Sequence, residues 1–100
     1  MEQLNTSDFT LRVLNVSDCT GLTAIYCAYN NLNSMNVSGC TALNTLVVLG
    51  NPQLSTLDIS QTPILKSLVY SVQPKSYTNA VVYETEEAVL AIDHNTRLSY

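Results

Sequence analysis

The chain is poor in charge, and poorest in positive charge. Only 12% of its 100 residues are Asp, Glu, Lys or Arg, about half the usual share. Arg12, Lys66, Lys75 and Arg97 are its only basic residues, they do not cluster, and the net charge is -4. Phosphate binding needs a basic face, so nucleic acid is not an expected partner. An anionic membrane surface is disfavoured for the same reason. No apolar run is long enough to span a bilayer, so no membrane insertion is expected, and no secretory signal opens the chain. Tryptophan is absent and glycine occurs three times, with no glycine-rich phosphate loop. Three cysteines without a C-x-x-C pair fall short of the roughly four ligands of a zinc site, and no cofactor is expected.

Polarity comes instead from Asn, Ser and Thr. Short polar side chains favour turns and weaken helix interiors, so the chain reads as mainly β. One hundred residues allow a single small core.

An internal repeat organises the first three quarters. Leu14-Asn15-Val16-Ser17-Asp18-Cys19-Thr20-Gly21-Leu22 aligns with Met35-Asn36-Val37-Ser38-Gly39-Cys40-Thr41-Ala42-Leu43, an offset of 21. The second aligns with Leu57-Asp58-Ile59-Ser60-Gln61-Thr62-Pro63-Ile64-Leu65, an offset of 22. Each period holds a second half of another kind. Leu22-x-x-Ile25-x-Cys27-x-x-Asn30-x-Leu32 is followed by Leu43-x-x-Leu46-x-Val48-x-x-Asn51 and by Leu65-x-x-Leu68-x-Tyr70, with Gln73 in the Asn position. Met1-x-x-Leu4-x-Thr6-x-x-Phe9-x-Leu11 fits the same frame.

This pattern resembles the leucine-rich repeats of bacterial surface proteins, most closely the Cys-containing, internalin-like arrays also seen in Bacteroidetes. The resemblance covers residues 1–73. It implies a short solenoid, a right-handed coil of parallel strands with a period of 21–22 residues. Residues 1–73 would be the repeat region and 74–100 a small β-rich C-terminal cap. Strand alternation then predicts stacked inward columns: Leu4, Ile25, Leu46 and Leu68 in one, Thr6, Cys27, Val48 and Tyr70 in the next. The resemblance also implies an asparagine ladder of Asn30 and Asn51, whose amides would satisfy backbone groups where the chain turns. Cys19 and Cys40 share a column and Cys27 lies in another; small buried apolar residues are the expected role for all three. A disulfide between Cys19 and Cys40 would require suitable geometry.

In the cap, Ala80–Tyr83 and Ala88–Ile92 are predicted strands joined by a Glu84–Glu87 turn. A short helix from Thr85 to Ile92 is the alternative. Asp93-His94-Asn95 suggests a further turn.

The outward positions of the Asn-type strands carry Tyr26, Ala28, Thr45, Val47, Leu49, Val69 and Ser71. They are partly apolar, whereas Asn15, Asn36, Asp58 and their following serines are polar. The first set is assigned to a concave sheet that binds a protein or peptide ligand, Tyr offering large area with few rotatable bonds. The resemblance implies an adhesion-type module, secreted or at the cell surface, although a cytoplasmic chain stays open. The alternative is a structural spacer, or a section of a longer array packing on a neighbour. Its uncapped N-terminal coil would then allow end-to-end self-association. An enzyme is the weakest reading. His94, the single histidine, has no nucleophile motif near it, and Glu84, Glu86 and Glu87 read as solvated charge rather than a glycosidase pair. Asn15-Val16-Ser17 and Asn36-Val37-Ser38 match the N-glycosylation triplet, but they recur because the repeat recurs.

Overall fold

A computed structural model describes residues 3–5 and 11–100. The expectations placed on Met1, Thr6 and Phe9 lie outside the described residues. The described residues are mainly β, with parallel strands stacked into sheets and one helix among them.

Each period of 21 or 22 residues up to Thr62 supplies two short strands. The Asn-type halves give β1 (Gln3–Asn5), β3 (Ala24–Tyr26) and β5 (Thr45–Val47). They pair in parallel, and the register stacks Leu4 on Ile25 and Ile25 on Leu46. The other halves give β2 (Val13–Asn15) and β4 (Ser34–Asn36), also parallel, with Leu14 beside Met35. A third such half gives β6 (Thr56–Asp58). Ile25, Cys27, Val37, Cys40, Leu46, Val48 and Leu57 lie between the two sets of strands at 1% exposure or less. A three-residue strand cannot bury its apolar side chains alone; the stack removes them from water together.

The corners repeat as faithfully as the strands. Asp18 and Gly39 both take positive φ, at 61° and 78°, and Tyr29 and Gly50 do so at 58° and 77°. Such a backbone is cheap only for glycine and mildly costly for Asp. A Cβ at Gly39 would run into Asp18 of the neighbouring repeat, and one at Gly50 into the ring of Tyr29. Asn15, Asn36 and Asp58 each accept a hydrogen bond from the backbone N–H of the serine two residues on, at 3.0, 3.0 and 2.8 Å. That turn is what the recurring Asn-Val-Ser triplet builds.

The third Asn-type half departs from the expected strand. Residues Pro63–Ser71 form helix α1. Leu-x-x-Leu is a strand-and-turn spacing in the earlier repeats, but it is also helical i, i+3 spacing. Leu65, Leu68, Val69 and Val72 extend it to i, i+3, i+4 and i+7, a complete apolar helix face. Leu65 and Leu68 are buried, and Val69 and Val72 pack against the core. Pro63 occupies the first turn, where its missing N–H costs nothing. Leu68 therefore does not stack on Leu46, and Tyr70, expected inside, is 67% exposed on the opposite helix face. Gln73 is exposed as well.

The place expected for Leu68 is taken by a later strand. After α1 come β7 (Lys75–Ser76), β8 (Val81–Glu84) and β9 (Val89–Ile92). These are successively antiparallel, and no helix forms over 85–92. β9 then pairs in parallel with β5, setting Leu90 against Leu46. The main sheet has six strands in the order β1-β3-β5-β9-β8-β7. β10 (Arg97–Ser99) pairs in parallel with β6, Leu98 beside Leu57. A single segment, 89–99, thus adds one strand to each side of the core.

The opposite side is split into two-stranded sheets, β2–β4 and β10–β6. The break falls where the period lengthens from 21 to 22. Asn33 and Ser34 N–H groups bond to Arg12 C=O in the preceding repeat. The extra residue sits in Pro52-Gln53, and Pro52 has no N–H to give. Leu54 N–H bonds back to Asn51 C=O instead.

Candidate binding face

The outer face of the six-stranded sheet collects the exposed side chains of its strands. Register places Tyr26, Val47, Ala91 and Val82 in one row across β3, β5, β9 and β8. A second row runs through Ala24, Thr45, Val89 and Glu84. Tyr26 is 36% exposed, and Thr45, Val47, Val82 and Val89 are half-buried. Ala24 and Ala91 are nearly covered. Ala28 and Leu49, just past the strands, are half-buried, and the Tyr29 N–H bonds to Leu49 C=O at 3.0 Å. Tyr29 itself, 53% exposed, lays its ring against Gly50.

Two residues assigned to this face are not on it. Val69 and Ser71 belong to α1, because the apolar face of that segment is helical; Val69 turns towards the core and Ser71 bonds to Ser67 C=O. Val82, Ala91 and Val89 occupy the sheet in their stead. Sequence reasoning missed them because it placed 80–92 outside the parallel stack.

The strand exits are held by buried amides. Asn51 Oδ1 accepts from the N–H groups of Asn30 and Leu32, each at 3.1 Å, in the preceding repeat. Its Nδ2 donates to Val48 C=O at 2.8 Å and to Cys27 C=O at 3.0 Å. Asn30 Nδ2 donates to Cys27 C=O at 3.2 Å. The next step is made by Asp93, whose carboxylate oxygens accept from Gly50 N–H at 2.7 Å and Asn51 N–H at 2.8 Å. Asp93 was read only as part of a turn, because it follows Leu90 by three residues, while Asn51 follows Leu46 by five. The sequence did offer one signal, the match of Leu90-x-Ile92 to Leu46-x-Val48. Asn95 and Thr96 complete the corner, donating to Pro52 C=O at 2.8 Å and to Leu54 C=O at 2.7 Å.

The three cysteines fall into different environments. Cys27 is fully buried, and burial pushes its thiol up to about 11. Cys40 is also buried; its Sγ donates to Val16 C=O at 3.1 Å, and burial raises its pKa. Cys19, expected to be buried in the same column, is exposed; β2 just ahead of it has β4 as its one partner among the described residues. Asp58, on the surface, has its carboxyl lowered by hydrogen bonds from Ser60.

His94 is exposed on the turn after β9. Its Nε2 lies 2.6 Å from Tyr77 C=O, which makes that nitrogen the N–H donor. Asp93 beside it is committed to backbone amides. Glu84, Glu86 and Glu87 are exposed around the β8–β9 turn. Among the described residues no three His, Cys, Asp or Glu side chains gather as metal ligands, and no helix is long and apolar enough to cross a membrane.

The structure thus defines a mainly β protein of stacked parallel strands with an apolar row on its main sheet. Comparison with protein-family models, with curated proteins and with solved structures finds no match to this chain.

Proposed function

We propose that the chain is a leucine-rich-repeat solenoid and works as a non-enzymatic binding module. Its ligand would be a protein or peptide held on the outer face of the six-stranded sheet. The observation that carries this reading is the row Tyr26, Val47, Ala91 and Val82, apolar side chains aligned across four strands on the face turned away from the core. Aligned apolar and aromatic groups on a rigid sheet lose little conformational entropy on binding. The resemblance of the repeats supports a secreted or cell-surface, adhesion-type role. Peptides selected from a random library on the intact chain should lose binding at least tenfold on Val47→Lys and on Tyr26→Ala. Retained affinity in both variants rejects this face.

A second reading, a section of a longer array or an end-to-end assembly, is favoured by one feature. An apolar cavity of about 380 Å³ opens at the β1–β2 end, lined by Leu4, Leu14, Val16, Cys19, Gly21 and Leu22. A neighbouring repeat, from the same or another chain, would cover it. In light scattering that reading predicts a mass that rises with concentration and falls back in Leu14→Lys. A constant monomer mass rules out the end-to-end assembly.

A further inference from the structure

We propose that Cys19 and Cys40 form a disulfide when the chain meets a small-molecule disulfide, stapling two consecutive repeats together. The two residues occupy the same position of consecutive repeats. Their turns are copies: Cys19 N–H bonds to Val16 C=O and Cys40 N–H to Val37 C=O, both at 3.1 Å. Leu22 N–H bonds to Cys19 C=O at 3.1 Å, and Leu43 N–H to Cys40 C=O at 3.2 Å. Equal local geometry makes the two Cα–Cβ directions parallel. The repeats are joined directly ahead of the pair, by Val16 N–H to Asn36 C=O at 3.0 Å and Asp18 N–H to Ser38 C=O at 2.7 Å.

Adjacent parallel strands lie ~4.8 Å apart, inside the ~4.4–6.8 Å Cα separation of natural disulfides. With parallel Cα–Cβ directions the Cβ atoms start at the same ~4.8 Å spacing and must close by roughly 1 Å to reach the usual ~3.8 Å. Cys19 can supply that movement. It is exposed and stands on the wall of the open apolar cavity rather than in packed core. Cys40, already aimed at the Val16 carbonyl of the same turn, is the buried partner. Cys27 lies in another column, fully buried.

With oxidised glutathione the chemistry closes. The Cys19 thiol gives up its proton and its sulfur attacks one glutathione sulfur; the S–S bond breaks and the first glutathione leaves as a thiolate. The Cys40 sulfur, its proton lost in turn, attacks Cys19 Sγ and displaces the second glutathione. Two protein thiols are oxidised by two electrons, one glutathione disulfide is reduced to two thiols, and the two protons end on glutathione.

Intact-mass spectrometry of the full chain treated with oxidised glutathione tests this. The expected product has lost two hydrogens and keeps one thiol that alkylates only after unfolding. Proteolytic mapping should place the bond between Cys19 and Cys40, and the thermal midpoint should rise by several degrees, reversibly with dithiothreitol. Cys27→Ala should give the same bond, whereas Cys40→Ser should stop at a glutathione adduct on Cys19. An adduct that persists in the wild-type chain overturns the proposal. So does a bond to Cys27, or a chain that keeps all three thiols.

Discussion

Residues 11–62 and residues 63–99 build adjacent parts of one core by different means. In the first region the short strands recur about 21 residues later, and the corners at Asp18 and Tyr29 are copied at Gly39 and Gly50. In the second, a helix fills part of the core, an antiparallel hairpin widens the sheet, and one short segment closes both sides. The difference shows that the core specifies positions rather than the order in which the chain fills them. Leu90 meets Leu46 as Leu46 meets Ile25, yet it arrives 44 residues after Leu46 instead of 21.

The comparison can be broken most decisively at the amide steps. Asn51 satisfies four buried backbone groups, so Asn51→Ala should cost roughly 3–5 kcal/mol in urea denaturation, each orphaned group being worth about 1–3 kcal/mol before relaxation. Asp93 only accepts, from two N–H groups; Asp93→Ala should cost about half as much. Equal costs would mean that the two steps are not the same device.

A smaller effect tests the strand substitution. Leu46→Ala and Leu90→Ala should each destabilise by roughly 3 kcal/mol, the ordinary cost of a cavity at a fully buried leucine. If β9 is a true neighbour of β5, Leu90→Ala should also raise amide exchange in β5. Protection of β5 left unchanged would separate the two regions energetically.

The smallest effect is a pH dependence carried by Cys27 in the first region. Its thiol ionises near 9.0 when unconstrained and at about 11 in the fold. Below pH 9 both states hold the proton and the stabilisation is complete. Above that the unfolded chain ionises first, so stability should fall as pH rises from 9 to 11 and then level off. The full loss is roughly 2–3 kcal/mol, at ~1.4 kcal/mol for each tenfold change in proton affinity. Cys27→Ala should flatten that part of the urea-midpoint curve. Tyr83 and Cys40, also raised by burial, leave a residual slope of the same sign.

Legibility follows the same division. The stacking of Leu4, Ile25 and Leu46 is written in the period, because identical spacing at a fixed offset has one economical packing. The outward placement of Tyr26 and Val47 follows from strand alternation. The segment 63–72 was ambiguous in principle, since Leu65, Leu68, Val69 and Val72 suit a helix as well as Leu65-x-x-Leu68 suits the repeat. Leu90 and Asp93 were hidden because their partners, Leu46 and Asn51, lie more than 40 residues away, and the short match of Leu90-x-Ile92 to Leu46-x-Val48 falls outside the 21-residue period. The exposure of Cys19 depends on what packs beside β2, which its own neighbours in sequence do not reveal.

The period and the resemblance it carries were enough to place the parallel strands β1 to β5 and the residues stacked at their centres, Leu4, Ile25 and Leu46 above all. Each of those rests on contacts between equivalent positions of neighbouring repeats. Where the repeat stops, local spacing permits more than one secondary structure. Which one forms is decided by the vacant place beside β5 and by the unpaired amides of Gly50 and Asn51. Only the folded stack creates those vacancies, and so only the tertiary structure could assign Leu90 and Asp93 to fill them.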